Sequence, residues 1–254
     1  MCKGTTTLQL VPPQMLEKKM LKSFNLVQRL MTGAAVAMVA CSANAACLDN
    51  VVLVHGNTGD PSHWNNTVST LKGRGYVDSQ LYRPSWGSKT NALINDHNST
   101  NTNVVKNALT AAKAASCTGK IDVVGHSMGV TLAMKAINEL GYSGNVNTFI
   151  GIAGAQHGLN SCGVYPFNVV SPTCGSNGLS INSPLINSVR NKRYGAKMYS
   201  IKSYTDQIVC LGSCYVYGSH TSNVDGQNAT YDYVLAHLAL KDYTTSKQAD
   251  LILN

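Results

Sequence analysis

The chain alternates between short apolar runs and longer stretches in which apolar residues return every three or four positions. Val51-Val52-Leu53-Val54, Ile121-Asp122-Val123-Val124 and Val146 to Ala153 are the strongest runs. Apolar, β-branched-rich segments of this length read as strands buried on both faces of a parallel sheet. Ser79 to Arg83, Lys197 to Tyr204 and Ala229 to Val234 read as further, more mixed strands. Helical spacing places one helix through Trp64, Val68 and Leu71 up to Gly73, and a second over Asn103 to Ser116. A third carries Val130, Ala133, Met134, Ile137 and Leu140 and stops at Gly141. Ser183-Pro184 opens a short helix to Val189, and Lys247 to Leu253 reads as a terminal one. Residues 84–101 are polar and loop-like. Residues 154–183 are dense in Gly, Ser, Asn and Pro and read as a long disulfide-pinned loop, functional by its length. Strands alternate with helices and nothing repeats. The expected fold is α/β: one doubly wound, mostly parallel sheet with helices on both faces in a single domain.

The first 45 residues fall outside that pattern. Lys18, Lys19, Lys22 and Arg29 precede an apolar run from Leu30 to Val39, and Ala43-Asn44-Ala45 is a small-residue cleavage site. This order predicts a signal peptide over 1–45 that is removed, leaving 46–254 as the working domain; the run is too short to span a bilayer. The start codon is open between Met1, Met15 and Met20. A competing reading makes Met38-Val39-Ala40-Cys41 a lipid-attachment box.

Removing the leader changes the charge argument. The whole chain carries 20 Lys and Arg against 12 Asp and Glu. The leader holds five of the bases and one acid, so the remainder has a net charge of only +4. No basic run or aromatic-studded basic stripe survives, which excludes nucleic acid as a partner. Of the eight cysteines, Cys2 and Cys41 precede the cut. Cys47 and Cys117 each sit eight residues before a strand end, at His55 and Gly125. Order and spacing pair Cys47 with Cys117, Cys162 with Cys174, and Cys210 with Cys214. A zinc cluster is the competing reading; the spacings lack any C-x-x-C pair, and export favours disulfides.

Candidate chemistry centres on Gly125-His126-Ser127-Met128-Gly129, which follows a strand and opens a helix. In that context Gly-x-Ser-x-Gly is a nucleophile elbow, a strained turn that raises the serine hydroxyl above the sheet. A serine needs a base, and the base needs an orienting carboxylate; on this architecture they follow in the order Ser, Asp, His. Asp206 directly follows one strand and His237 the last one. His220 is the rival base, and Asp225 and Asp232 are the rival acids. The tetrahedral oxyanion needs two backbone N–H donors, which fall to Met128 after the nucleophile and Asn57 after His55-Gly56. His55 is expected to brace that loop and His126 to pack the elbow. His157 and Trp64 are the substrate-binding candidates; Trp86 is core or rim.

Together, Val51-Val52-Leu53-Val54-His55-Gly56, the elbow with its strand, Tyr204-Thr205-Asp206-Gln207-Ile208-Val209 and Ala236-His237-Leu238 resemble the α/β-hydrolases, and more narrowly the bacterial class 2 lipases. The resemblance covers Val51 to Leu240. It implies a secreted or periplasmic serine esterase or lipase with Ser127, Asp206 and His237 as triad and Asn57 and Met128 as oxyanion donors. It implies no cofactor and no metal, an acyl-ester or lipid substrate, transient contact with a lipid interface, and a monomer. Two departures stand out. Asn57-Thr58 replaces the apolar or Gly-rich turn of small members, and the Cys162–Cys174 segment is an addition within 157–190, serving as lid or wall. An acyltransferase or a polyester depolymerase would use the same residues. A non-catalytic binding domain would lack a triad member, and none is lacking.

Overall fold

The computed structural model describes residues 47–254. The expected signal peptide over 1–45 and its cleavage site lie outside the described residues. Among those described, no helix is long and apolar enough to cross a membrane.

Six strands form one sheet in the order β10-β7-β4-β3-β1-β2, and every neighbouring pair is parallel. They are β1 (Asn50–Val54), β2 (Leu81–Tyr82), β3 (Ile121–His126), β4 (Val146–Ile152), β7 (Lys197–Ser203) and β10 (Ala229–Tyr233). Successive strand side chains point to opposite faces, and two cores result. Val52, Val54, Ile121, Val123 and Phe149 face α2 (Ser99–Ala115), α3 (Met128–Leu140) and α4 (Pro184–Val189). Val51, Leu53, Val124, Ile150 and Ile201 face α1 (Asn65–Gly73), α5 (His237–Tyr243) and α6 (Thr245–Leu253). Apolar side chains buried at this depth stabilise by roughly 1.5–3 kcal/mol each, which is why the inner strands are mostly apolar.

Several boundaries differ from the sequence reading, each for a local reason. The helix expected from Asn103 begins at Ser99, because the Asn98 side chain accepts the Asn101 N–H and caps it there. The strand expected over 79–83 shrinks to two residues, because Asp78–Gln80 is a 3-10 turn in which Gln80 accepts the Val77 N–H. Residues 154–183 are not a structureless loop. They contain β5 (Leu159–Val164) and β6 (Ser180–Ile181), which pair in parallel, and the Cys162–Cys174 disulfide, whose Cα atoms are 5.2 Å apart. A hairpin of β8 (Tyr215–Val216) and β9 (Ser219–His220) follows the Cys210–Cys214 disulfide. Cys47 and Cys117 are also disulfide-bonded.

β3 also carries a buried carboxyl, five positions before the elbow serine. Asp122 is 1% exposed and accepts the Thr148 N–H at 2.9 Å. Burial, with the Asp49 carboxylate second, raises its pKa from 3.8 to about 7 against the opposing Thr148 hydrogen bonds and Lys197. A carboxyl with a raised folded-state pKa binds more protons folded than unfolded. Its stabilising contribution is therefore complete below about pH 4 and is lost as pH rises towards 7, on the order of 4 kcal/mol in all. Asp122→Asn keeps the acceptor for Thr148 and removes the titration. In urea unfolding the variant should exceed the native chain at pH 8, with the gap closing towards pH 4.5. Parallel pH profiles for the two would contradict it.

Candidate active site

The candidate triad and oxyanion residues lie at the C-terminal edge of the sheet, on the segments that follow β1, β3, β7 and β10. Ser127 joins β3 to α3 with φ 54° and ψ −131°, a region that costs a non-glycine residue about 1–3 kcal/mol. Its turn is tight because α3 starts directly against the end of β1. A Cβ on Gly129 would lie 2.3 Å from the His55 carbonyl oxygen and 2.4 Å from that of Val54, so no other residue fits. Gly56 lies close on the other side, where a Cβ would be 2.8 Å from Ser127 Cβ. The loop carrying Asn57 is thus pressed against the serine. Neither the Asn57 nor the Met128 backbone N–H has an acceptor among the described residues.

Asp206 follows β7 and is 1% exposed. Its Oδ1 accepts the Ile208 and Val209 N–H groups at 2.9 and 3.0 Å. Its Oδ2 accepts the His237 Nδ1–H at 2.7 Å. Three donors therefore hold one carboxylate in one orientation. His237 opens α5, and its own backbone is tied down as well. Its N–H donates to Gln207 Oε1 at 3.1 Å, and its carbonyl accepts the His126 Nε2–H at 3.2 Å. The His126 and His237 rings lie 4.7 Å apart. Burial, then the His237 charge, holds His126 well below the usual histidine pKa. A neutral His126 next to Ser127 in sequence thus anchors His237, a role beyond the packing expected of it. Gln207 and His126 were legible as motif members, but nothing in their spacing announced these bonds.

The rivals are engaged elsewhere. His220 Nδ1 accepts the Ser222 N–H at 3.1 Å, and its ring is edged by Tyr204 and Tyr215 beside the Cys210–Cys214 disulfide. These two cysteines and His220 have metal-ligand spacing, but both sulfurs are spent on the disulfide. Asp232 pairs with Lys202 at 3.5 Å. Asp225 accepts the Asn191 N–H at 2.8 Å and faces His157 Nε2 at 3.3 Å.

Both substrate-binding candidates fall on buried side chains. His157, on the segment after β4, is 3% exposed and its Nε2 lies beside Asp225. Trp64 is the other candidate. It is fully buried among Leu53, Val68 and Leu71, with the Lys241 ammonium 5.7 Å over its ring. An apolar period marks a core helix face and cannot distinguish it from a pocket rim. Sequence reasoning also passed over the polar 84–98 segment. Asn57 Nδ2 donates to the Ala92 carbonyl at 3.0 Å, and Asn95 donates to Asn57 Oδ1 at 2.6 Å. Lys89 and Trp86 close on His55 from the same segment.

Solved structures share this architecture. Aspergillus fumigatus lipase B matches at a TM-score of 0.59 and 17% identity over 82% of this chain. The chain spans about half (52%) of that lipase's length. A structure from a study of two metagenome-derived lipolytic enzymes, LipS and LipT, matches at a TM-score of 0.56 and 17% identity, covering 82% of this chain and 93% of that one. The Pyrococcus furiosus esterase Pf2001 matches at 0.53 and 14%, covering 81% and 83%. At these identities the likeness shows an α/β-hydrolase fold. No curated protein matches closely in sequence. The family description Lipase (class 2), however, matches residues 49–250, which include the elbow and both of its expected partners. The chain belongs to the class 2 lipase family.

Proposed function

We propose that the protein is an exported carboxylic-ester hydrolase that works through an acyl-enzyme on Ser127. The observation that carries this reading is the Asp206–His237 pair at 2.7 Å on the sheet edge where Ser127 stands strained at the elbow. Asp206 fixes the His237 tautomer with Nδ1 protonated, which leaves Nε2 as the base. His237 takes the Ser127 proton as Oγ attacks the ester carbonyl, then gives it to the leaving alcohol. Water repeats the sequence and releases the acid. The unpartnered Asn57 and Met128 N–H groups would receive the oxyanion. Family membership supports an ester substrate, and the disulfides support an oxidising compartment.

The rim favours an amphiphilic ester at a lipid surface. Ile208, Leu211, Val234 and Leu238 are exposed around Asp206 and His237, and Leu93 and Ile94 on the Asn57 side. Val170 is 100% exposed and Phe167 92%, both on the segment pinned by Cys162–Cys174. Apolar side chains gathered this way mark an interaction surface. A fluorophosphonate should label the native chain once, at Ser127, and rates against acyl length below and above substrate micelle formation should show the surface preference. Folded protein that takes no label would overturn the proposal.

A further inference from the structure

The loop that carries Asn57 is held by a side chain that no motif marks. His55 Nδ1–H donates to the Gly56 carbonyl at 2.8 Å, and the Gly59 N–H donates to the same oxygen at 3.0 Å. Both lone pairs of that oxygen are used. A trans peptide unit is planar and points its C=O and N–H in opposite directions. Fixing the Gly56 carbonyl therefore fixes the direction of the Asn57 N–H.

With Nδ1 as the donor, His55 Nε2 is an acceptor, and two donors face it. The Trp86 backbone N–H lies at 3.3 Å and Lys89 Nζ at 3.2 Å. Lys89 Nζ also donates to the Trp86 carbonyl, and the Trp86 indole N–H donates to the His55 carbonyl at 3.0 Å. The two rings stack with centroids 5.2 Å apart and planes within 4°. From this geometry we propose that Lys89 is a positioning residue for the oxyanion donor Asn57. Its ammonium reinforces the Trp86 N–H in selecting the Nδ1–H form of His55, and through it the orientation of the Gly56–Asn57 peptide. An Nε2–H form would set donor against donor and leave the Gly56 carbonyl held by the Gly59 N–H alone.

The Lys89 charge acts in the same direction. Burial lowers the His55 pKa to about 4, the Lys89 and His63 charges adding to that while the Gly56 hydrogen bond and Asp60 oppose it. His55 is thus neutral at working pH and keeps a lone pair for Lys89. Lys89 itself is exposed, so its replacement leaves the core intact.

The effect on rate rests on the ester-hydrolase reading; the tautomer does not. The test combines nitrogen NMR of the His55 imidazole in the full chain with steady-state kinetics of Lys89→Met and Lys89→Arg. The native chain should show Nε2 unprotonated, and Lys89→Met a shift towards Nε2–H. Lys89→Met should lower kcat about tenfold, a fraction of the loss expected on deleting an oxyanion donor outright. KM should stay within about twofold, because the interaction acts in the transition state. Lys89→Arg, which restores a donor, should recover most of the rate. A native Nε2–H tautomer, or a Lys89→Met chain with unchanged tautomer and kcat, overturns the assignment. If the native chain hydrolyses no ester, the functional reading fails while the NMR result still decides the role of Lys89.

Discussion

Ser127→Ala is expected to lower kcat for ester hydrolysis by about 10⁵- to 10⁶-fold, a barrier increase of roughly 7–8 kcal/mol. The size follows from what the alanine cannot do. Without Oγ no acyl-enzyme forms, and water would have to attack from a position the elbow does not organise. The oxyanion donors and substrate contacts remain, so a small residual rate over water persists. Alanine at φ 54° is as strained as serine, and the hydroxyl has no hydrogen-bond partner among the described residues. Melting temperature should therefore change little. Single-turnover assays of purified native and variant chains, beside matched melting curves, check both halves. A loss below a hundredfold in a folded variant would place the nucleophile elsewhere.

Asp206→Asn should lower kcat by about 10⁴-fold through the tautomer of His237. Oδ1 of Asp206 is claimed by the Ile208 and Val209 N–H groups. An asparagine must turn its carbonyl oxygen to those two donors, which leaves its NH₂ facing His237 Nδ1. The imidazole then accepts at Nδ1 and carries its proton on Nε2, where it cannot act as a base for Ser127. Because the backbone bonds of the 206–209 turn survive, the variant should unfold close to the native chain. The rate should recover in part at alkaline pH, where Ser127 needs less help. A kcat within tenfold of native would mean that Asp225 or Asp232 supplies the acid instead.

How much of this was legible depends on where the responsible contacts lie along the chain. β1, β3 and β4 read cleanly because strands covered on both faces carry a predominantly apolar signal. The elbow read cleanly because strand, turn and helix are contiguous. α4 matched its sequence bounds of 184–189 because Ser183 caps it and Pro184 starts it. β5 and β6 stayed hidden. Leu159-Asn160-Ser161-Cys162-Gly163-Val164 has no clear period, and its partner is only two residues long. α5, seven residues beginning at the expected base, left no periodic trace either. The residues that shape the site from a distance were illegible for a different reason. Trp86, Lys89 and Asn95 act on His55 and Asn57 through hydrogen bonds spanning 31 to 38 positions, and composition alone made their segment a plain polar loop.

The sheet also bears on how the protein behaves in a crowd. At one border β2 offers only Leu81 and Tyr82. At the other, β10 carries the exposed Thr230 and Asp232, with Lys202 paired to Asp232 and Lys247 lying over Tyr231. An open ladder recruits foreign chains when it is long, flat and uncharged. Here one border is too brief and the other too charged to template a neighbour. An all-parallel sheet, slow to assemble because its pairings are remote in sequence, is thereby guarded against cross-β growth once folded, even where many copies gather on one surface.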